Sequence, residues 1–402
     1  MRFPEFQNDG AWEVRPLGEF CEVNPSPKIT QDSFIYIDLE CVTNGELLSK
    51  NRVSRSNAPS RAQRTLQKHD ILFQTVRPYQ KNNYFFNQND ENDYVASTGY
   101  AQLRYKRSPQ FLYQAIHTDQ FVRAVLERCV GGNYPAINSK ELNIIPINFP
   151  SIPEQQKIAE CLSSLDDLIK AEGERLEALR DHKKGLMQKL FPRNGQTTPE
   201  LRFPEFQNNG AWEVRPLGKL APLQNRKIEA ITLSKENYVS TENLLPGYAG
   251  IKASSNIPNI ARVTQFKEGD ILSSNIRPYL KKVWRSDRSG GASNDVLIFR
   301  AKKQIQSCYL GYILKNDDFI SFVMESAKGV KMPRGDIEAI EEYPVSLPPD
   351  TQNNQAEQQK IAECLSSLDD LIAAQDAKIT ALGAHKKGLM QKLFPKMDEA
   401  GV

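Results

Sequence analysis

The chain predicts an α+β protein: two globular mixed α/β domains separated by a pair of long antiparallel coiled-coil-like helices, arranged as an internal pseudo-twofold repeat. Three observations lead there. Arg2–Gly18 reads RFPEFQNDGAWEVRPLG and Arg202–Gly218 reads RFPEFQNNGAWEVRPLG, differing only at Asp9 against Asn209. Glu154–Pro192 returns as Glu357–Pro395, and the stretches between the copies, Glu19–Pro153 and Lys219–Ala356, are largely dissimilar. A constant frame therefore carries two different inserts. The implied division is 1–153 for the first insert domain with its repeated segment 2–18, then 154–192 for the first helix. Residues 193–356 hold a linker, the repeated segment 202–218 and the second insert domain, followed by the second helix at 357–395 and a tail at 396–402.

The helices follow from apolar spacing. Pro153-Glu154 suits a first turn, since proline has no amide to lose there and the acid faces the positive helix end. Ile158, Leu162, Leu165, Leu168/Ile169, Leu176, Leu179, Leu186 and Leu190 then recur in steps of three and four, a narrow coiled-coil stripe. Ile361, Leu365, Leu368, Leu371/Ile372, Ile379, Leu382, Leu389 and Leu393 repeat it, and Phe-Pro stops each copy. Each helix would be ~55–58 Å long. One helix alone cannot hide its stripe, so the two are expected to pack on each other, antiparallel, with the inserts at opposite ends.

Glu154–Ile169 is identical to Glu357–Ile372, and His182–Pro192 to His385–Pro395, while the middles differ. Two readings fit the matching polar residues: a surface that meets the same partner twice, or recent duplication. The first assigns Gln155, Gln156, Lys157, His182, Lys183 and Lys184 to a partner, with Gln358, Gln359, Lys360, His385, Lys386 and Lys387 as their equivalents. Gly185 and Gly388 cost ~1 kcal/mol each against alanine inside a helix, which points to a close backbone neighbour or a kink.

The inserts read as mixed α/β. Asp70–Tyr79 and Asp270–Tyr279 each spell a strand that ends in a loop at Arg-Pro. Tyr94–Arg104 and Val296–Phe299 are further strands, Phe111–Arg128 and Tyr309–Met324 amphipathic helices, and Gly131–Pro135 and Gly329–Pro333 matching loops. Tyr79 and Tyr279 are read as packing residues.

At 402 residues, with 39% hydrophobic and 25% charged, the composition is that of a globular protein of two or more domains. No apolar run approaches the ~20 residues of a membrane span, and MRFPEFQNDGAW lacks a basic-then-apolar leader, so the cytoplasm is the expected location. Six cysteines form no CxxC or Cys/His cluster, which argues against a metal or a disulfide framework. Cys161 and Cys364 are read as small core residues.

The net charge of +3 says little; its placement says more. Leu47–His69 holds Lys50, Arg52, Arg55, Arg61, Arg64 and Lys68 without one acid, and is read as a flexible arm that orders on phosphate. Arg77, Lys81, Arg104 and Lys106 add to the first insert. The second carries Arg277, Lys281, Lys282, Arg285, Arg288, Lys328, Lys331 and Arg334. Positive charge thus gathers in the inserts, where a polyanion would be met. Arg77 and Arg277 either reach phosphate or a guanine edge from a rigid loop, or pin the strand end.

Catalytic chemistry finds no match. No GK[ST] phosphate loop is present, and Asn24-Pro25-Ser26-Pro27 fails as an amino-methyltransferase motif at its third and fourth positions. Neither a carboxylate-and-lysine nuclease site nor a Ser/His/Asp set can be assembled.

Taken in order, [FV]-P-E-F…W-E…L-G, D-I-L…R-P-Y, the Gly…Pro loop and EQQKIAECLSSLDDLI resemble the specificity subunits of type I restriction–modification systems over essentially the whole chain. That resemblance implies two target-recognition domains, each reading half of a split DNA site. It further implies that the repeated helices bind two DNA adenine methyltransferase subunits, which nuclease/translocase subunits join for host defence. No cofactor is implied for this chain; S-adenosylmethionine, ATP and Mg are expected on the partners. Lys331-Met332-Pro333-Arg334 is typical of the family, whereas Asn133-Tyr134-Pro135-Ala136 departs from it, so a DNA role carried over by resemblance stops at the second loop. Two readers on an antiparallel rod would meet half-sites about one helical turn (~34 Å) apart, and unlike inserts imply an asymmetric site. The rival is a stand-alone two-domain repressor or architectural protein using the rod for self-association.

Overall fold

Each repeated segment closes on itself and then onto a long helix. In the computed structural model, Arg2 donates to the backbone carbonyls of Asp9 and Gly10 and forms a two-pronged bond to Glu154, at 2.9 and 2.5 Å. Arg202 does the same with Asn209, Gly210 and Glu357, at 2.7 and 2.9 Å to the carboxylate. Both carboxylates are 1% exposed, so the pairing is charge-assisted and largely dry. The sole difference between the two segments falls where the partner uses only the main-chain oxygen of residue 9 or 209. Lys157 and Lys360 add weaker links to Glu5 and Glu205 and lie over the Phe3 and Phe203 rings.

The described residues are 1–25, 32–193, 195–257, 259–329, 331–349 and 354–395; Ser26, Pro27, Val330 and the expected tail at 396–402 lie outside them. The chain forms two compact units, Met1–Glu174 with Ala377–Val402, and Arg175–Asp376. The division crosses both long helices, Ile152–Leu190 and Asn354–Leu393, instead of separating insert from helix. Packing explains this, because each core takes the start of one helix and the end of the other. In the first unit Ile158 and Leu162 join Trp12, Phe111, Leu393 and Phe394. In the second, Ile361 and Leu365 join Trp212, Tyr309, Leu190 and Phe191. Phe394 stacks on Phe111 at 5.6 Å, and Phe191 lies 5.4 Å from Tyr309. Each such buried aromatic or aliphatic side chain contributes on the order of 1.5–3 kcal/mol.

Within each unit the two helix segments run antiparallel. Lys378 bonds Glu172 and Lys386 bonds Asp166 in the first; Lys183 bonds Asp369 in the second, with Arg180 3.9 Å from Asp376. Lys183/Asp369 and Lys386/Asp166 are repeat equivalents, so their identity has an internal cause. The same holds for Gln155 and Gln358, 2% and 0% exposed. Gln155 accepts from the Tyr105 hydroxyl and donates to the Pro150 carbonyl, while Gln358 links the Gln306 amide to the Gln304 carbonyl. These four residues, assigned above to a partner, serve the fold. Leu168 and Leu371, placed in the stripe, instead face solvent.

Each insert contains two small sheets, and the first adds a hairpin of Val42–Thr43 with Glu46–Leu47. The first unit orders them Asn51–Ser54, Ser33–Ile37, Tyr94–Ser97, Ala62–Thr65 and Glu22–Val23, Tyr100–Arg104, Ile71–Gln74, Tyr84–Phe85. The second unit has Lys227–Glu229, Arg262–Phe266, Gly290–Ala292, Tyr238–Val239, and a three-stranded sheet of Val283–Arg285, Ile271–Ser274 and Val296–Phe299. A two-stranded ribbon, Glu13–Pro16 with Pro146–Phe149 or Glu213–Pro216 with Pro344–Leu347, ties each repeated segment to the end of its insert. The single helices expected at 111–128 and 309–324 are each two. Thr118 and Asn316 interrupt them, since each side chain caps the following helix and draws its own backbone out of helical conformation.

Gly185 and Gly388 interrupt nothing. A Cβ at either would meet no atom within 4 Å, so the close neighbour is not present, and both helices run on through these positions. Alanine at both positions is expected to raise stability by about 0.5–1 kcal/mol per site, read as an upward shift in thermal midpoint; a downward shift would mean the glycines are required by the fold. Arg202→Ala, which strands the buried Glu357, should cost about 3 kcal/mol, whereas Asn209→Asp should stay within about 0.5 kcal/mol. Urea titrations of the two variants side by side test the clamp, and equal losses would refute it.

Candidate nucleic-acid interface

The strand Ile71–Gln74 runs into Thr75-Val76-Arg77, and Ile271–Ser274 into Asn275-Ile276-Arg277. Proline at 78 and 278 disfavours the right-handed helical region for the residue before it. Both arginines take up the left-handed one, with φ 53° and 51°. Lys81 and Lys281, closing the short turn that follows, are also left-handed, at 55° and 53°. Four of the eight described non-glycine residues with positive φ therefore sit in these two loops. Such backbone is costly and persists only when neighbours fix it.

The Gly…Pro loops do the fixing. Arg77 N–H donates to the Pro135 carbonyl at 2.8 Å, and Arg277 N–H to that of Pro333 at 2.9 Å. Val76 bridges Ala136 and Ile276 bridges Arg334, while Val130–Ala136 and Lys328–Arg334 exchange backbone bonds across each loop. Lys81 and Lys281 anchor the other side through Asp119 and Asp317. Two distant stretches of each insert are thereby stitched into one projection. It bears Arg77, Tyr79 and Tyr134 in the first unit and Arg277, Tyr279, Lys331 and Met332 in the second. Tyr79 and Tyr279 are each 50% exposed, so they are not the packing residues expected of them.

The remaining basic residues divide by environment. The run from Lys50 to Lys68 is no flexible arm: Asn51–Ser54 and Ala62–Thr65 are strands of one sheet. Lys50 pairs with Asp90, which holds its ammonium well above the ordinary lysine range, and Arg52 bonds Asn92. Arg64 is half-buried, its Nε has no partner, and burial lowers its pKa. Arg55, Arg61, Lys68 and Lys106 are exposed and form no ion pair among the described residues. Arg104 is structural. It grips Asp70 through two bonds of 2.8 Å, as Arg300 grips Asp270, and both carboxylates are buried.

In the second unit Lys282 donates to the Thr241 carbonyl, Arg285 to Ser307, and Arg288 to Asp287 while lying over Trp284. Lys328 pairs with Asp336, and Arg334 with Asp295 at 3.1 Å. Arg277 and Lys331 are exposed and form no ion pair among the described residues. What the motif reading missed is the apolar part of the projection, whose cue was the shared Tyr/Met-Pro step.

No described helix is long and apolar enough to cross a membrane. The type I restriction modification DNA specificity domain matches residues 10–180 and again 209–382. A putative type I restriction enzyme MjaX specificity subunit of Methanocaldococcus jannaschii is 27% identical over 281 residues, covering 65% of this chain and 61% of that protein. The type I restriction enzyme HindI specificity subunit of Haemophilus influenzae is 25% identical over 189 residues, 45% and 40% of the two chains. Less than two thirds of either relative is therefore spanned. Among solved structures, a chain from a study of type I R-M complex assembly and conformational transition has a TM-score of 0.58 at 19% identity, over 96% of this chain and 97% of that one. The type I S subunit from M. genitalium gives 0.57 at 15%, over 97% and 98%. At such identities the structures speak for the fold. With the domain matched twice, across most of its length, this chain belongs to the type I restriction modification DNA specificity family.

Proposed function

We propose that this chain is the non-catalytic sequence-recognition subunit of a type I restriction–modification complex, its two inserts serving as unlike target-recognition domains for the halves of one asymmetric DNA site. The observation that carries this reading is the same strained, stitched projection built twice on inserts whose surfaces otherwise differ. Phosphate contacts from exposed Arg and Lys would set register, and a few base-edge contacts would specify sequence. Methylation and ATP-dependent cleavage would belong to partner subunits, which would hold S-adenosylmethionine, ATP and Mg.

The partner surface is narrower than the sequence implied. Gln156/Gln359, Lys157/Lys360, His182/His385 and Lys184/Lys387 remain matched and exposed, and Leu168 and Leu371 join them at 40% and 53% exposure. Two equivalent faces of this kind suit two copies of one methyltransferase, and an apolar pocket on that enzyme would complement the isolated leucines.

Modified-base sequencing of host DNA, with the gene intact and deleted, tests the assignment. The expected result is a split, asymmetric motif with methyladenine in each half that vanishes on deletion. An unchanged pattern in cells shown to express the chain with its methyltransferase would sink the reading.

A further inference from the structure

Both projections end in a large apolar side chain turned out to water. Tyr134 is 65% exposed and Met332 50%, at the same loop position, directly before the proline. Their backbone is held on both sides by the bonds to Arg77 and Arg277 and by the exchange across each loop. Gly131 and Gly329 make the turn possible, with φ 103° and 98°; a Cβ at Gly131 would lie 3.0 Å from the Tyr134 carbonyl oxygen. Isolated exposed apolar residues are ordinary. Here, however, one recurs on a rigid tip in two inserts that share little surface, beside an arginine in a costly conformation.

The surroundings state what chemistry the tip would meet. The Arg77 guanidinium lies 4.2 Å from the Tyr134 ring centroid, a cation–π contact that orients the ring and keeps positive charge alongside it. In the second unit the exposed Arg277 and Lys331 flank Met332. An apolar tip with cations at its base complements a base stack with phosphates at its edge.

Resting on the DNA-specificity reading, we propose that Tyr134 and Met332 are wedges, each inserted at one base step of its half-site. Partial unstacking by an apolar side chain is how many proteins kink or open a duplex. The flat Tyr134 ring can stack on a base. Met332, unbranched and polarizable, fills an opened step of irregular shape. If Tyr134 served only to cover Arg77, its loss would lower thermal stability and leave DNA untouched.

The test uses the full-length chain with its methyltransferase and a duplex bearing the split motif obtained from host DNA. 2-Aminopurine is placed at successive steps, avoiding the methylated adenine that the enzyme itself would flip. One step in each half should brighten on binding. Tyr134→Ala should abolish the signal in the first half only and weaken binding roughly 5- to 100-fold, with Tyr134→Phe retaining both. Met332→Ala should act on the second half alone. Neither alanine variant should alter the salt dependence, whereas Lys331→Ala should lower its slope by about one. Unchanged affinity in both alanine variants, or no brightening at any step, overturns the wedge. A wild-type complex that does not prefer the motif over a scrambled duplex removes the specificity reading itself, and the wedge with it.

Discussion

The buried pairing of Arg2 with Glu154, and of Arg202 with Glu357, is the constraint on which the rest of each unit depends. One guanidinium satisfies two carbonyls of its own loop and both oxygens of a carboxylate in the first turn of a long helix. That fixes where the helix starts relative to the ribbon that ends the insert. The core then follows, because Trp12 or Trp212 is delivered against the helix ends and the aromatics of the insert. A buried ion pair is weak evidence for net stability. Its value here is geometric: an unpaired Glu at that depth would penalise any other arrangement of segment and helix.

That clamp also changes the meaning of the repeat. Matching polar residues on a helix invite the inference of a shared partner, and for Gln155, Gln358, Lys183 and Lys386 the match has an internal cause. Lys183 and Lys386 answer an aspartate of the opposing helix, whereas Gln155 and Gln358 answer residues of their own inserts. The exposed matches, Gln156, His182 and Lys184 with their equivalents, are less engaged, Gln359 bonding only Glu363 one turn along its own helix.

Much of the architecture was legible in the sequence. Strict three- and four-residue apolar spacing fixed both long helices to within about three residues, and the Asp-Ile-Leu…Arg-Pro-Tyr copies located equivalent strands and loops. What escaped legibility was tertiary. The basic run from Lys50 to Lys68 lacks acids and looks solvated, yet Lys50 and Arg52 find partners 40 residues away, at Asp90 and Asn92. Arg104 resembles any surface arginine until the buried Asp70 is seen beneath it. Thr118 and Asn316 interrupt helices whose apolar pattern continues across them, because a cap is a local hydrogen bond and leaves no gap in the hydrophobic period. Tyr79 and Tyr279 read as inward by residue type, whereas the left-handed arginine two positions earlier leaves them half exposed.

The same physics explains how two different surfaces can share one frame. The contacts that hold each projection in place are made mainly by backbone groups: Arg77 and Arg277 through their amides, Pro135 and Pro333 through their carbonyls, the bridging pairs through both. Backbone bonds place few demands on side-chain identity. Val130 can therefore stand where Lys328 stands, Ala136 where Arg334 stands, and Tyr134 where Met332 stands, without loss of the turn. The first projection is left aromatic and nearly uncharged apart from Arg77, and the second strongly basic. Geometry is thus set by the main chain while chemistry is left to the side chains, and that separation lets one repeated scaffold carry two unlike surfaces.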